Sequence, residues 1–149
     1  LIILAAVFLN FVLGFMGVTQ AILEGIKELG WTPMQTMIVI ICFYLLLGMF
    51  METLSMMLTT IPVVFPIVVH MGFDPVWFGI MITVLMEAAL ITPPIGINLY
   101  VVHGIRARGG NFNDVSYGAV PFLFGMFFLI AFLLFFPDLA LWLPQLVYH

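Results

Sequence analysis

The chain is 149 residues long, 65% hydrophobic and 7% charged, with a mean hydropathy of +1.32 and a formal net charge of −4. A soluble domain burying one core is excluded, because its surface would be mostly apolar, and nucleic-acid binding is excluded because Lys27, Arg106 and Arg108 form no basic patch. What remains is an all-α integral membrane protein, a helical bundle with room for about four to six passes of about 20 residues each.

Residues 1–19 are apolar apart from Asn10, with Gly14 and Gly17 as small interruptions, and predict one transmembrane helix. Asn10 is expected to hydrogen-bond to a neighbouring helix, as polar groups in lipid commonly do. The chain begins without Met or a charged leader, so it is expected to be the C-terminal part of something longer. Over 20–32 the pattern changes: Ile22, Leu23, Ile26 and Leu29 recur at helical spacing, with Glu24, Lys27 and Glu28 opposite. That predicts an amphipathic interfacial helix, ended by Gly30 and anchored by Trp31, with a new helix starting at Pro33.

Residues 33–72 hold two apolar legs separated by Met51-Glu52-Thr53-Leu54-Ser55, a turn with neither Gly, Pro nor Asn. A tip of this kind fits a re-entrant helical hairpin buried in protein, although each leg is long enough to span the hydrocarbon. On the return leg Pro62 and Pro66 free the carbonyls of Leu58 and Pro62, one turn apart on one face. These are either a second set of acceptors or the mark of a kinked packing helix. Glu52 is either an ionisable group at membrane depth or the cap of the return leg.

Residues 73–105 open with Asp74, placed to cap the next helix, and would run about 46 Å as straight helix against about 30 Å of hydrocarbon. The segment is expected to break at 91–96, inside Leu90-Ile91-Thr92-Pro93-Pro94-Ile95-Gly96-Ile97-Asn98. Pro93 and Pro94 lack N–H groups, so the carbonyls of Ala89 and Leu90 are expected to be free. A helix broken at membrane depth is tolerated only where protein or a water-filled cavity satisfies the freed groups, and transporters place ion and substrate sites at such breaks. Arg106 and Arg108 mark 106–116 as a cytoplasmic loop, and 117–149 then returns the chain to the outer face as a helix with an interfacial tail at Asp138, Trp142 and Tyr148.

No enzyme motif is present: there is no His pair at helical spacing, no nucleophile elbow and no phosphate-cradling loop. His70, His103 and His149 stand at segment ends, and the lone Cys42 allows no internal disulfide. The candidate ion- and substrate-binding residues gather at two points. Glu52, Thr53 and Ser55 stand at the hairpin tip; Ala89, Leu90, Thr92, Pro93, Pro94, Gly96 and Asn98 stand at the break, with Thr83 and Glu87 one to two turns before it. Mostly neutral oxygen ligands suit an alkali cation better than a transition metal, at a site near Thr92 and the tip. An anionic substrate would meet helix N-termini, hydroxyls, amides or the bound cation, since no Lys or Arg lies inside the apolar segments. A non-transporting scaffold subunit and a channel are the rival readings; a channel calls for a continuous polar stripe and a scaffold for no midplane break.

Gly48-Met49-Phe50-Met51-Glu52, Pro62 with Pro66, Gly72-Phe73-Asp74-Pro75-Val76-Trp77-Phe78-Gly79 and Leu90 to Tyr100 occur in an order and spacing that resemble the large membrane subunit of tripartite ATP-independent periplasmic (TRAP) transporters. The resemblance implies the second of two inverted repeats of an elevator-type permease, in the C-terminal half of its subunit. It also implies symport of sodium with small organic acids, often carboxylates, and no cofactor beyond sodium as coupling ion. The implied partners are a periplasmic substrate-binding protein, a small membrane subunit, the N-terminal repeat of the same subunit and the lipid bilayer. The implied location is the bacterial inner membrane, multi-pass, with the C-terminus periplasmic.

Overall fold

The computed structural model describes residues 1–93, 96–106 and 110–148, all in helices and their connections, with no strand among the described residues. Pro94, Arg108 and His149, all singled out above, lie outside the described residues.

The first helix, α1 (Ile2–Phe15), gives way to α2 (Val18–Glu28) through an elbow at Met16 and Gly17, where the axis turns by 53°. The division expected after residue 19 therefore falls earlier. Gly17 has φ 68, left-handed backbone that a side chain would strain, so the helix ends where a glycine can turn it. The amphipathic helix accordingly covers Val18–Glu28 rather than 20–32, with Ile26 buried and Glu24, Lys27 and Glu28 exposed. Gly30, at φ 64, turns the chain towards Trp31 and α3.

Helix α3 (Pro33–Gly48) starts with a reciprocal cap: the Gln35 N–H donates to the Thr32 hydroxyl at 3.3 Å, and the Thr32 N–H donates to Gln35 Oε1 at 2.9 Å. Helix α4 (Thr53–His70) returns beside it and stays continuous through Pro62 and Pro66. Asp74 caps α5 (Pro75–Leu90), its carboxylate accepting the N–H groups of Val76 at 2.8 Å and Trp77 at 3.0 Å. After Leu90 the chain leaves the helix, and α6 (Ile97–Ile105) begins past Gly96.

Helix α7 (Phe112–Phe135) begins five residues before the expected helix at 117, within the expected 106–116 loop. Asn113, Asp114 and Ser116 read as loop because they are polar, yet helical backbone is satisfied internally whether or not its first turns lie in hydrocarbon. Arg106 Nη1 pairs with Asp114 at 3.2 Å, with Gly110 beside the pair. The expected tail is likewise helical, as α8 (Asp138–Tyr148), separated from α7 by Phe136 and Pro137.

Helices α4 and α7 are each long and apolar enough to cross a membrane, and α1 with α2 would make a bent third span; α3 and α5, at 16 residues each, are shorter apolar helices. Helix α5 sits at the centre, packed by α3, α4, α6, α7 and α8. Trp77, Met81, Leu85, Met86, Ala88 and Ala89 on α5 are buried together with Tyr44 and Met37 of α3 and Met56 and Val68 of α4. Phe8 and Phe11 of α1 and Phe122, Phe124 and Phe128 of α7 stand about 70% exposed, as side chains facing lipid do.

Candidate functional site at the helix break

The end of α5 tightens into short turns, with the Ile91 N–H donating to the Ala88 carbonyl at 3.3 Å and the Thr92 N–H to the Ala89 carbonyl at 3.1 Å. The expectation that Pro93 leaves the Ala89 carbonyl free is thereby corrected: one tighter turn supplies the donor that Pro93 lacks. Thr92 also donates its hydroxyl proton to the Ala88 carbonyl at 2.7 Å, which leaves its oxygen lone pairs available. The carbonyl of Leu90 receives no donor among the described residues.

Gly96 explains what the break does with these oxygens. Its backbone is left-handed, φ 40, and the position a Cβ would take lies 3.1 Å from the Leu90 carbonyl oxygen, 3.1 Å from the Thr92 carbonyl oxygen and 3.0 Å from Leu99 Cδ1. Two carbonyl oxygens thus converge on one point beside Gly96, a point that any other residue would fill with its own side chain.

The hairpin meets this end of α5 directly. A Cβ on Gly48, the last residue of α3, would stand 2.3 Å from Ala89 Cβ and 3.4 Å from Ala89 Cα. Only a glycine lets α3 approach the turn preceding Thr92 this closely. Gly48 was quoted above as part of a motif, but nothing local in the sequence tells that its partner is Ala89.

The tip, expected to be buried in protein, is exposed in this chain at Glu52 and Leu54, and Glu52 is the cap of α4. Its carboxylate accepts the Ser55 N–H at 2.6 Å, the Leu54 N–H at 3.0 Å and the Ser55 hydroxyl. Its oxygens and the Ser55 proton are therefore engaged with each other, while the Thr53 hydroxyl has no partner among the hydrogen bonds of the described residues. The legs are tied by Tyr44, fully buried, whose hydroxyl lies 2.7 Å from that of Thr60. Thr60 gives its proton to the Met56 carbonyl at 2.7 Å, so Tyr44 is the donor of the pair.

Other candidates stand on the surface of the chain. Thr83 and Glu87 are exposed on the α5 stripe that also carries Val76 and Gly79, and the Thr83 hydroxyl turns back to the Gly79 carbonyl at 2.8 Å. Asn98 is exposed on α6. The Leu58 carbonyl, freed by Pro62, is taken by Asn10, whose Nδ2 donates to it at 2.7 Å. That removes Leu58 from any set of open acceptors. A similar bond went unread in the sequence: Trp77 Nε1 donates at 2.8 Å to the Leu133 carbonyl, which Pro137 cannot serve. No group of three or more His, Cys, Asp or Glu side chains suited to a metal occurs among the described residues.

A family profile described as the DctM component of tripartite ATP-independent periplasmic transporters matches residues 1–139. The chain belongs to this family. It is 36% identical over 146 residues to the C4-dicarboxylate TRAP transporter large permease protein DctM of Rhodobacter capsulatus, covering 98% of this chain and 33% of that protein. The DctM protein of Vibrio cholerae is also 36% identical over 146 residues, covering 98% of this chain and 32% of its own. The ectoine TRAP transporter large permease protein TeaC of Halomonas elongata is 34% identical over 142 residues, covering 94% and 32%. This DctM-family chain thus spans about a third of the length of the curated relatives it matches, less than the half expected.

Proposed function

We propose that the chain supplies the second-repeat part of the permease subunit of a sodium-coupled secondary transporter that imports small organic acids. The observation that carries the reading is the convergence of the Leu90 and Thr92 carbonyl oxygens beside Gly96, with Gly48 of the hairpin packed against the same end of α5. Neutral backbone oxygens with the lone pairs of Thr92 Oγ1 suit a desolvated alkali cation, and an adjoining cation would draw a carboxylate towards the hydroxyl of Thr53 and the N-terminus of α6. The hairpin acts as a re-entrant gate over this point, moving with the broken helix as an elevator. Its partners are the rest of the same subunit, a small membrane subunit and a periplasmic binding protein that delivers the substrate. The relatives named for C4-dicarboxylates and ectoine support a carboxylate-bearing cargo. The setting is the bacterial inner membrane, with 106–116 cytoplasmic and the C-terminus periplasmic.

The test is Thr92→Val in the full-length permease, reconstituted with its small subunit and supplied with substrate-loaded binding protein. Losing an oxygen ligand without changing side-chain shape should raise the sodium concentration for half-maximal uptake by about tenfold. An unchanged sodium dependence, at unchanged protein level, would take the helix break out of the coupling mechanism. A scaffold subunit would show no uptake that responds to Thr92 at all.

A further inference from the structure

Pro62 has no N–H, so the Leu58 carbonyl loses the donor that an unbroken α4 would give it. The replacement comes from 48 positions earlier in the chain: Asn10 Nδ2 on α1, at 2.7 Å. The orientation of the amide is fixed by this contact, because the flipped amide would set its oxygen against the Leu58 oxygen. The pairing has a counterpart at Trp77, Leu133 and Pro137, where the indole N–H of α5 reaches a proline-freed carbonyl of α7 at 2.8 Å. In both cases a carbonyl that a proline four residues on cannot serve takes its donor from a different helix.

The position of Leu58 gives the first of these bonds a use. It lies fewer than two turns after Glu52, in the stretch between the tip and the first proline of α4. That stretch carries Glu52, Thr53 and Ser55, and helix α1 is packed along α4. We infer that Asn10 is a positioning residue for the hairpin tip, holding the tip segment in place through the Leu58 carbonyl although it touches neither ion nor substrate. The inference rests on the proposed transport reading for its consequence, and on geometry alone for the bond.

The experiment uses the complete transporter freed of native cysteines, with Thr53→Cys as the reporter of tip position in the labelling arm only and Thr53 kept intact for every uptake measurement. Asn10→Leu should raise the thiol-labelling rate at residue 53 by about threefold, the scale of one hydrogen bond within a membrane bundle. It should also raise the sodium concentration for half-maximal uptake more than it lowers the maximal rate. Pro62→Ala restores an N–H that serves the Leu58 carbonyl from within α4, so Asn10→Leu made in that background should change neither readout further. Asn10→Gln, which keeps the donor, should stay near the parent labelling rate, and Asn10→Met, which removes it, replaces Asn10→Leu if the leucine variant fails to accumulate. An equal effect of Asn10→Leu with and without Pro62→Ala would overturn the inference, since Asn10 would then act by packing. So would a loss of thermal stability with no change in labelling or sodium dependence. If the parent protein shows no sodium-dependent uptake, the proposed function fails, while the labelling comparison still decides whether Asn10 positions the tip.

Discussion

Gly48→Ala puts the packing of the hairpin on α5 to the most direct test. The added methyl would stand 2.3 Å from Ala89 Cβ, about 1.2 Å short of the closest comfortable carbon–carbon separation of about 3.5 Å. Ala89 Cβ is bonded to buried backbone, with no rotamer that moves it aside, so the two helices themselves must part. Overpacking of this kind costs about 1–3 kcal/mol. Alanine is favoured over glycine by up to about 1 kcal/mol in a helix interior, but Gly48 is the last residue of α3, where that gain is small. A net loss of about 1–2 kcal/mol follows, visible as a fall of a few degrees in the thermal midpoint of the purified full-length permease. The same separation would draw α3 away from the carbonyls of Leu90 and Thr92, so sodium affinity should fall with stability. Ala89→Gly in the Gly48→Ala background removes the opposing methyl and should recover most of both losses. A Gly48→Ala protein as stable as its parent, or more stable as helix propensity alone would have it, would refute the close approach.

Gly96→Ala should be harsher, because the methyl both strains a left-handed residue and fills the point between two carbonyl oxygens; sodium-dependent uptake should be lost even in protein that inserts normally. Trp77→Phe keeps the ring stacked on Phe73 but leaves the Leu133 carbonyl without its donor, so the thermal midpoint should drop by the equivalent of about 1 kcal/mol, and no drop would show that the indole N–H is dispensable. For orientation, a cysteine replacing Asn111 should react with impermeant thiol reagents only from the cytoplasm and one replacing Asp138 only from the periplasm; the reverse pattern would invert the topology.

The all-helical membrane fold was legible in the composition, and the helix starts at Pro33 and Pro75 were legible in their caps, because a cap is a local pattern of Thr32 with Gln35 or Asp74 with Pro75. What escaped was long-range pairing. Asn10 as an interhelix donor and Leu58 as a proline-freed acceptor were each readable alone, but nothing local joins residues 48 positions apart. Gly48 escaped for the same reason, since its partner Ala89 lies in another helix. Gly17 was read only as a small interruption of one apolar span when it is the elbow between two helices: a small residue allows both close approach and positive φ, and sequence does not say which is used. At the break, the loss of donors from Pro93 was readable, whereas the tightened turn that gives Ala89 a new donor depends on how the backbone relaxes around Thr92.

The unequal lengths of α5 and α6 bear on how the membrane voltage acts. With 16 and 9 residues, they rise about 24 Å and about 14 Å from the break, so under the proposed reading, in which the two helices make one passage, an ion beside Gly96 would divide that passage roughly two to one rather than in halves. If the electric field falls evenly along that passage, a sodium ion reaching the break from the α5 end has already crossed about two-thirds of the potential, worth about 1.5 kcal/mol per 100 mV. Binding itself would then be voltage-dependent. Hyperpolarisation would load the site as well as drive the later step, and the sodium concentration for half-maximal uptake would fall as the interior becomes more negative.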